Sequence, residues 1–260
     1  MELKPLSHSP KILVFHKLTS QLSFGSTNYS PPRFSHLLSF LQRQGYVYKS
    51  LDAVLSEDNP QAIAITFDDG YYHLADVLPP IMDKYRFQPV IFMPTRYIGK
   101  ANRWDYSHLF RSTPHLDARR IKELSNLGVE FGSHGHSHVN LCRCDEETLP
   151  RELRHSKALL EDILGRQVNY ISYPFGRCNQ RVFEAVEEAG YTRGFTMNFP
   201  EGSDTAFTIG RYAVYGFDTC LSVPRKFRRS GPLYNVEKWK ARLTNKLSVG
   251  TVIYNRFVGK

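Results

Sequence analysis

Two hydrophobic rhythms alternate along the chain. Predominantly apolar runs at residues 11–15, 62–67 and 90–93 read as strands, and the second carries the signature of a strand buried on both faces. Between them, apolar residues recur every three or four positions. Phe34, Leu37, Leu38 and Leu41 predict a helix over residues 32–44, closed by Gly45. A second helix is expected over residues 74–85, where Pro79 and Pro80 favour a kink, and a third from an Asp117 cap to Gly128. Residues 129–131 then read as a short strand that stops at Gly132. An Asp145 cap opens a long helix ending at Gly165, and residues 168–172 are extended. Asn179 caps a helix with Val182, Phe183, Val186 and Ala189 inward. Strands follow at residues 194–197 and 207–214, and a basic amphipathic helix at residues 236–247.

This alternation of strands and helices argues for an α/β fold, a parallel sheet with helices outside. A barrel and an open doubly wound sheet both satisfy that pattern. No repeat, linker or low-complexity tract interrupts it, so residues 1–260 are expected to form one domain.

Composition narrows the class. A hydrophobic share of 41% supports a large core and excludes disorder, coiled coil and collagen. No apolar run approaches the roughly 20 residues of a membrane span. The first eight residues lack the apolar stretch of a secretory leader, so a soluble, cytoplasmic protein is expected. The four cysteines are too few for a disulfide scaffold, and Cys142 and Cys144 are too close for a zinc knuckle. Thirty-four Lys and Arg outnumber 25 Asp and Glu, a net charge of +9 concentrated late, at residues 224–229 and 238–246. Such an excess suits anionic lipid head groups or an anionic glycan. No nucleic-acid motif accompanies it, and a solvated basic face is the plainer reading.

Three chemistry-bearing clusters each begin where a predicted strand ends, the rim at which parallel α/β folds build their sites. The first is Thr66-Phe67-Asp68-Asp69-Gly70. An Asp-Asp-Gly turn is common, but two adjacent buried carboxylates need a compensating cation or proton. The second is Ser133-His134-Gly135-His136-Ser137-His138. In a helical turn His134 and His138 share a face while His136 points away; in a strand all three align. Because the strand has already met Gly132, the turn is expected. The third, Tyr173-Pro174-Phe175-Gly176, is by itself only a Pro-Gly turn. One carboxylate and two histidines leave a fourth metal position open, the arrangement of a catalytic site, and the second carboxylate is then available as a base. The residues point to metal-assisted hydrolysis.

In this order the three clusters resemble the signature motifs of the polysaccharide deacetylase family, the NodB-type carbohydrate esterases. Smaller likenesses are Ile12-Leu13-Val14-Phe15-His16, Trp104-Asp105, Ala189-Gly190-Tyr191 and Gly210-Arg211, so the resemblance spans about residues 11–215 and leaves the basic residues 216–260 unmatched. It implies an incomplete (β/α) barrel that removes an N-acetyl, or sometimes O-acetyl, group from a sugar. It also implies Asp68 as general base, Asp69, His134 and His138 as ligands of one divalent ion, and the Phe175 N–H as an oxyanion donor. Zinc suits those ligands best; nickel, cobalt or iron would also fit. Many members carry an Arg two residues before the motif-three Pro, where Ser172 stands here, and a late His as general acid. No His follows His155 in this chain. Members resembling the exported poly-N-acetylglucosamine deacetylases take the acid from the first strand, which singles out His16.

The implied partner is an N-acetylated sugar, oligosaccharide or glycolipid, with anionic and lipid-linked forms included. Two other readings compete: a carbohydrate-binding relative without turnover, and a metal-dependent hydrolase of another C–N or ester bond.

Overall fold

A computed structural model describes residues 6–20, 26–101, 113–200 and 202–247. Its strands are β1 (Lys11–Phe15), β2 (Lys17–Leu18), β3 (Asn28–Tyr29), β4 (Val47–Tyr48), β5 (Ala62–Phe67), β6 (Val90–Met93), β7 (Glu130–Ser133), β8 (Tyr170–Ser172), β9 (Arg193–Phe195) and β10 (Tyr212–Ala213). Its helices are α1 (Pro31–Arg43), α2 (Leu51–Ser56), α3 (Leu74–Tyr85), α4 (Ala118–Asn126), α5 (Thr148–Leu164), α6 (Gln180–Glu188), α7 (Ser222–Phe227) and α8 (Pro232–Leu247).

The main sheet runs in the order β10-β1-β5-β6-β7-β8-β9, every neighbouring pair parallel, with β4 added beside β5. It is curled into an incomplete barrel. Ile209, just before β10, makes a parallel bridge to Phe195 of β9, so a single bridge rather than a full ladder closes the seam. That seam rules out the open doubly wound alternative.

Alternation along each strand sorts two layers of side chains. Ile12, Ala62, Ala64, Val90, Phe92, Tyr170, Phe195 and Ile209 form one buried cluster inside the barrel, joined by Leu51 and Val54 of α2 at its N-terminal mouth. Leu13, Phe15, Ile63, Ile65, Phe67, Ile91, Met93 and Ile171 belong to the larger cluster beneath the surrounding helices. Each such fully buried side chain contributes about 1.5–3 kcal/mol relative to exposure. Gly132 makes the inner layer fit, because a Cβ there would lie 2.6 Å from the Phe92 ring. Continued by two residues, the inward rows end at Asp68, His134 and Ser172. The C-terminal mouth thus collects the polar residues that the core excludes.

Several boundaries differ from the sequence expectation. Strand β7 does not stop at Gly132 but pairs with β6 through Ser133. Only Tyr212 and Ala213 of the 207–214 run are strand, since Ile209 pairs with β9 and the chain must cross to β1. Helix α3 passes through Pro79 and Pro80 unbroken. Helix α5 begins at Thr148, although Asp145 Oδ1 still accepts its first N–H at 2.7 Å. Helix α8 starts earlier than expected, at Pro232. Strands β2, β3 and β4 and helices α2 and α7 are too short to show a period. The Trp104-Asp105 likeness lies outside the described residues. The cysteines are free thiols, and no helix among the described residues is long and apolar enough to cross a membrane.

Candidate active site

Asp68 and Asp69 follow β5 directly, and the chain turns sharply beneath them. Asp69 has φ +69° and Gly70 φ +56°. Asp tolerates that left-handed region, but Gly70 is obligatory, since a Cβ would lie 1.9 Å from the Met93 sulfur. His115, buried and stacked 4.9 Å from the Tyr71 ring, donates from Nδ1 to the Asp69 carbonyl at 2.7 Å and fixes the turn. Burial pushes its pKa down to about 4, so the ring is neutral.

Asp68 is fully buried and held by a fork. Arg211 Nη1 and Nη2 donate to Oδ1 and Oδ2, each at 2.8 Å, and Ser172 Oγ donates to Oδ2 at 3.2 Å. Arg211 is itself buried, anchored by the Thr196 carbonyl and by Ser172 Oγ, with its guanidinium 5.2 Å from the centre of the Phe92 ring. Burial alone would raise the Asp68 pKa. The Arg211 charge, helped by His134 and His16, more than offsets it and holds the carboxyl below its ordinary 3.8.

The Ser172 position explains the geometry. The resemblance leads one to look for an arginine there; the small serine leaves space in the barrel, and Arg211 fills it from the opposite side of the seam.

The histidine segment is not a helical turn, which corrects the sequence expectation. Residues 134–138 leave β7 as an irregular turn with Gly135 at φ +72° and His138 at φ +56°. This turn still brings the His134 and His138 rings to 4.9 Å and sends His136 away, to stack on His155 at 4.4 Å. Glu152 of α5 shapes it: the buried carboxylate accepts from the N–H groups of His136 and Ser137 at 2.9 and 2.8 Å, and from Ser137 Oγ. His134 donates from Nδ1 to the Ser172 carbonyl at 2.7 Å, which leaves Nε2 facing Asp69. Burial pushes the His134 pKa down to about 4 and keeps it a neutral donor of its lone pair.

Asp69 Oδ1 lies 3.4 Å from His138 Nε2 and 3.6 Å from His134 Nε2. The oxygen is buried and makes no hydrogen bond among the described residues. Burial alone would raise the Asp69 pKa, but His138, then His16 and His134, more than offset it. A tetrahedral ion with bonds near 2.1 Å keeps its ligand atoms roughly 3.4 Å apart. An orphaned buried carboxylate oxygen facing two nitrogens at that spacing fits a divalent cation. Asp69, His134 and His138 are the group among the described residues that meets this test.

Phe175 lies across the mouth, its ring 4.9 Å from that of His138. Its backbone is left-handed, φ +62°, within the Pro174–Gly176 turn. Gly176 lets that turn press on the following loop, where a Cβ would meet Met197 at 2.8 Å. His16 follows β1 at the same mouth, half-buried, near enough for its charge to favour ionised Asp68 and Asp69. The structure therefore gathers all six candidate residues at one rim. Sequence reasoning missed the roles of Arg211, Ser172, Glu152 and His115. A charged residue inside the otherwise apolar run 207–214 was the signal for Arg211; the others carried none.

The family profile for polysaccharide deacetylase matches residues 56–194, more than half of the chain. The chain belongs to the polysaccharide deacetylase family. YxkH of Bacillus subtilis strain 168, which bears a polysaccharide deacetylase name, is 29% identical over 210 residues, covering 78% of this chain and 69% of that protein. A poly-β-1,6-N-acetyl-D-glucosamine N-deacetylase of Staphylococcus aureus strain MRSA252 is 24% identical over 172 residues, 63% of this chain. The aligned part spans only 56% of the staphylococcal protein's length. Among solved structures, Streptococcus pyogenes deacetylase PplD in complex with acetate shares the fold with a TM-score of 0.72, at 20% identity, over 86% of this chain and all of that one. IcaB from Ammonifex degensii does so with a TM-score of 0.67, at 17% identity, over 87% and 99%.

Proposed function

We propose that the protein is a divalent-metal-dependent hydrolase that removes N-acetyl groups from a sugar, oligosaccharide or glycolipid. The observation that carries this reading is the pairing of Asp68, buried and forked by Arg211, with the buried Asp69, His134 and His138 beside it. Family membership and the staphylococcal N-deacetylase support the substrate class.

Asp69, His134 and His138 would hold the ion, zinc by ligand type. When bound, it would polarise the amide carbonyl and make a water molecule more acidic. Asp68 is ionised and ready to take the proton from the attacking water, and the Arg211 fork keeps both its oxygens in place. The Phe175 N–H, held in its left-handed turn, would donate to developing negative charge without reorganising during the reaction. His16, half-buried at the mouth, delivers the second proton to the departing amine. An amide needs that proton, because an unprotonated amine is a poor leaving group.

His138→Ala tests the assignment. Metal analysis of the purified variant together with acetate release from N-acetylated oligosaccharides should show both lost. A full metal complement, or undiminished acetate release, would overturn the ligand set. Release of acetate from O-acetylated sugars alone would move the reaction to an ester.

A further inference from the structure

Helix α8 presents two unlike faces. Tyr234, Glu237 and Ala241 are 7%, 1% and 3% exposed and pack inward, with the Tyr234 ring edge-on to Phe199 at 5.9 Å. The outward face carries Leu233, Val236, Trp239 and Leu243, exposed by 46%, 47%, 63% and 42%. Their spacing of three, three and four residues forms one stripe along the helix. Single exposed apolar residues are ordinary, but a stripe of four spanning residues 233–243 and including an indole needs a partner.

Charge says which kind. From Ser222 to Leu247 the sequence has eight Lys or Arg and a single acid, Glu237. That acid is buried and paired with Lys240 at 3.2 Å. The nearby Asp218 is buried against Lys226 at 2.5 Å. Arg228, Arg229 and Arg242 are exposed, and Lys240 is partly exposed. These charges, Arg228 and Arg229 after α7 and Lys240 and Arg242 on α8, are therefore all cationic and accompany an apolar stripe. A protein partner would need a matching apolar groove ringed by acids. An anionic bilayer offers both features at once, acyl chains beneath phosphate.

We propose that the exposed face of α8 is a docking site for an anionic lipid surface, with Trp239 and Leu243 entering the interface and the flanking arginines contacting lipid phosphates. This inference stands apart from the catalytic reading. Lys238, Ala241 and Arg242 border a groove shared with Cys178, Asp204 and Met197, and Met197 packs on Gly176, so the middle of α8 lies near the Pro174–Gly176 turn of the site. Docking would hold the reaction mouth near the lipid.

The test is co-sedimentation of the full chain with vesicles of phosphatidylglycerol mixed equally with phosphatidylcholine, and with vesicles of phosphatidylcholine alone. Fluorescence is read in a Trp104→Phe background, where Trp239 is the remaining indole. Binding to the mixed vesicles alone is expected, with a blue shift of Trp239 and weakening as salt rises. Trp239→Ser with Leu243→Ser should reduce affinity by about tenfold or more, and Arg228→Glu with Arg242→Glu should abolish the preference for phosphatidylglycerol. Both pairs change exposed residues, and an unaltered melting temperature verifies that they fold. Absence of vesicle binding, equal binding to both vesicles, or a serine pair that binds like wild type would each overturn the proposal. So would a dimer that dissociates in the serine pair while vesicles have no effect, since the stripe would then serve a second copy. A chain ending at Leu247 that binds where the full chain does not would assign the stripe to residues 248–260 instead.

Discussion

The two mouths of the barrel bury acids in opposite ways. At the C-terminal mouth, Asp68 is fully buried yet held ionised, because Arg211 closes a fork on both its oxygens. At the N-terminal mouth, Glu130 is half-buried, and burial, reinforced by the nearby Asp52 charge, pushes its pKa up to about 7, with Arg166 only partly opposing. Asp52 is itself engaged by the Tyr170 hydroxyl. The strands are the same and the alternation is the same. What differs is the charge nearby: an aligned guanidinium at Asp68, the Asp52 carboxylate at Glu130, and these decide which way a buried carboxyl's pKa moves.

Removing the guanidinium breaks the comparison most severely. In Arg211→Met, burial acts on Asp68 unopposed, its pKa rises, and the acid limb of kcat/KM moves to higher pH. Loss of kcat on the order of a hundredfold is expected at neutral pH. The fold should weaken as well, because breaking a buried pair costs about 3–5 kcal/mol. Arg211→Lys restores charge without the fork, so the acid limb should return toward wild type while kcat recovers only in part. A pH–rate profile of both variants checks this. The matching stability effect has a definite sign. The folded pKa of Asp68 lies below 3.8, so its contribution is present above that value and is lost as pH falls through the lowered one.

His16 sharpens the comparison from the other side, as the proposed proton donor at the same mouth as the ionised Asp68. His16→Ala should reduce hydrolysis of an N-acetyl substrate by about 10²-fold and that of an activated aryl acetate far less, since an aryl oxide leaves without a proton. Equal losses on the two substrates, measured as kcat/KM, would make His16 structural.

The smallest effect belongs to the N-terminal mouth. Between about 4.5 and 7 the folded protein keeps a proton on Glu130 that the unfolded chain has released, so stability falls as pH rises through that window. Glu130→Gln should remove that dependence and raise the melting temperature at pH 8 relative to pH 5. The gain is about 1 kcal/mol, a few degrees, after allowance for partial exposure. Thermal melts at the two pH values decide it.

Much of the fold was legible because strands buried on both faces are almost wholly apolar, as residues 62–67, with Thr66 the exception, and 90–93 are. The group Asp69, His134 and His138 was legible because carboxylate and imidazole clusters sit at the ends of strands, which a parallel sheet gathers at one rim. Arg211 was not legible as the partner of Asp68. Their bond joins residues 143 apart across the barrel seam, and no local period records such a contact. Glu152 was hidden for a related reason: on α5 it reads as one more polar helix position, and only the irregular turn at residues 134–138 reveals why a carboxylate is buried there. The helical turn expected for that segment failed because two left-handed residues, Gly135 and His138, replace it.

The central claim is that Asp68 is the base beside, and not part of, the metal trio. Asp68→Asn keeps the shape of that side chain and removes its charge. Metal content and acetate release from an N-acetylated glucosamine oligomer should be measured together on wild type and variant. A metal complement equal to wild type, with acetate release reduced by about 10²–10⁴-fold, is the predicted result. Metal lost along with activity would make Asp68 a ligand, and acetate released at the wild-type rate would remove it from the chemistry altogether.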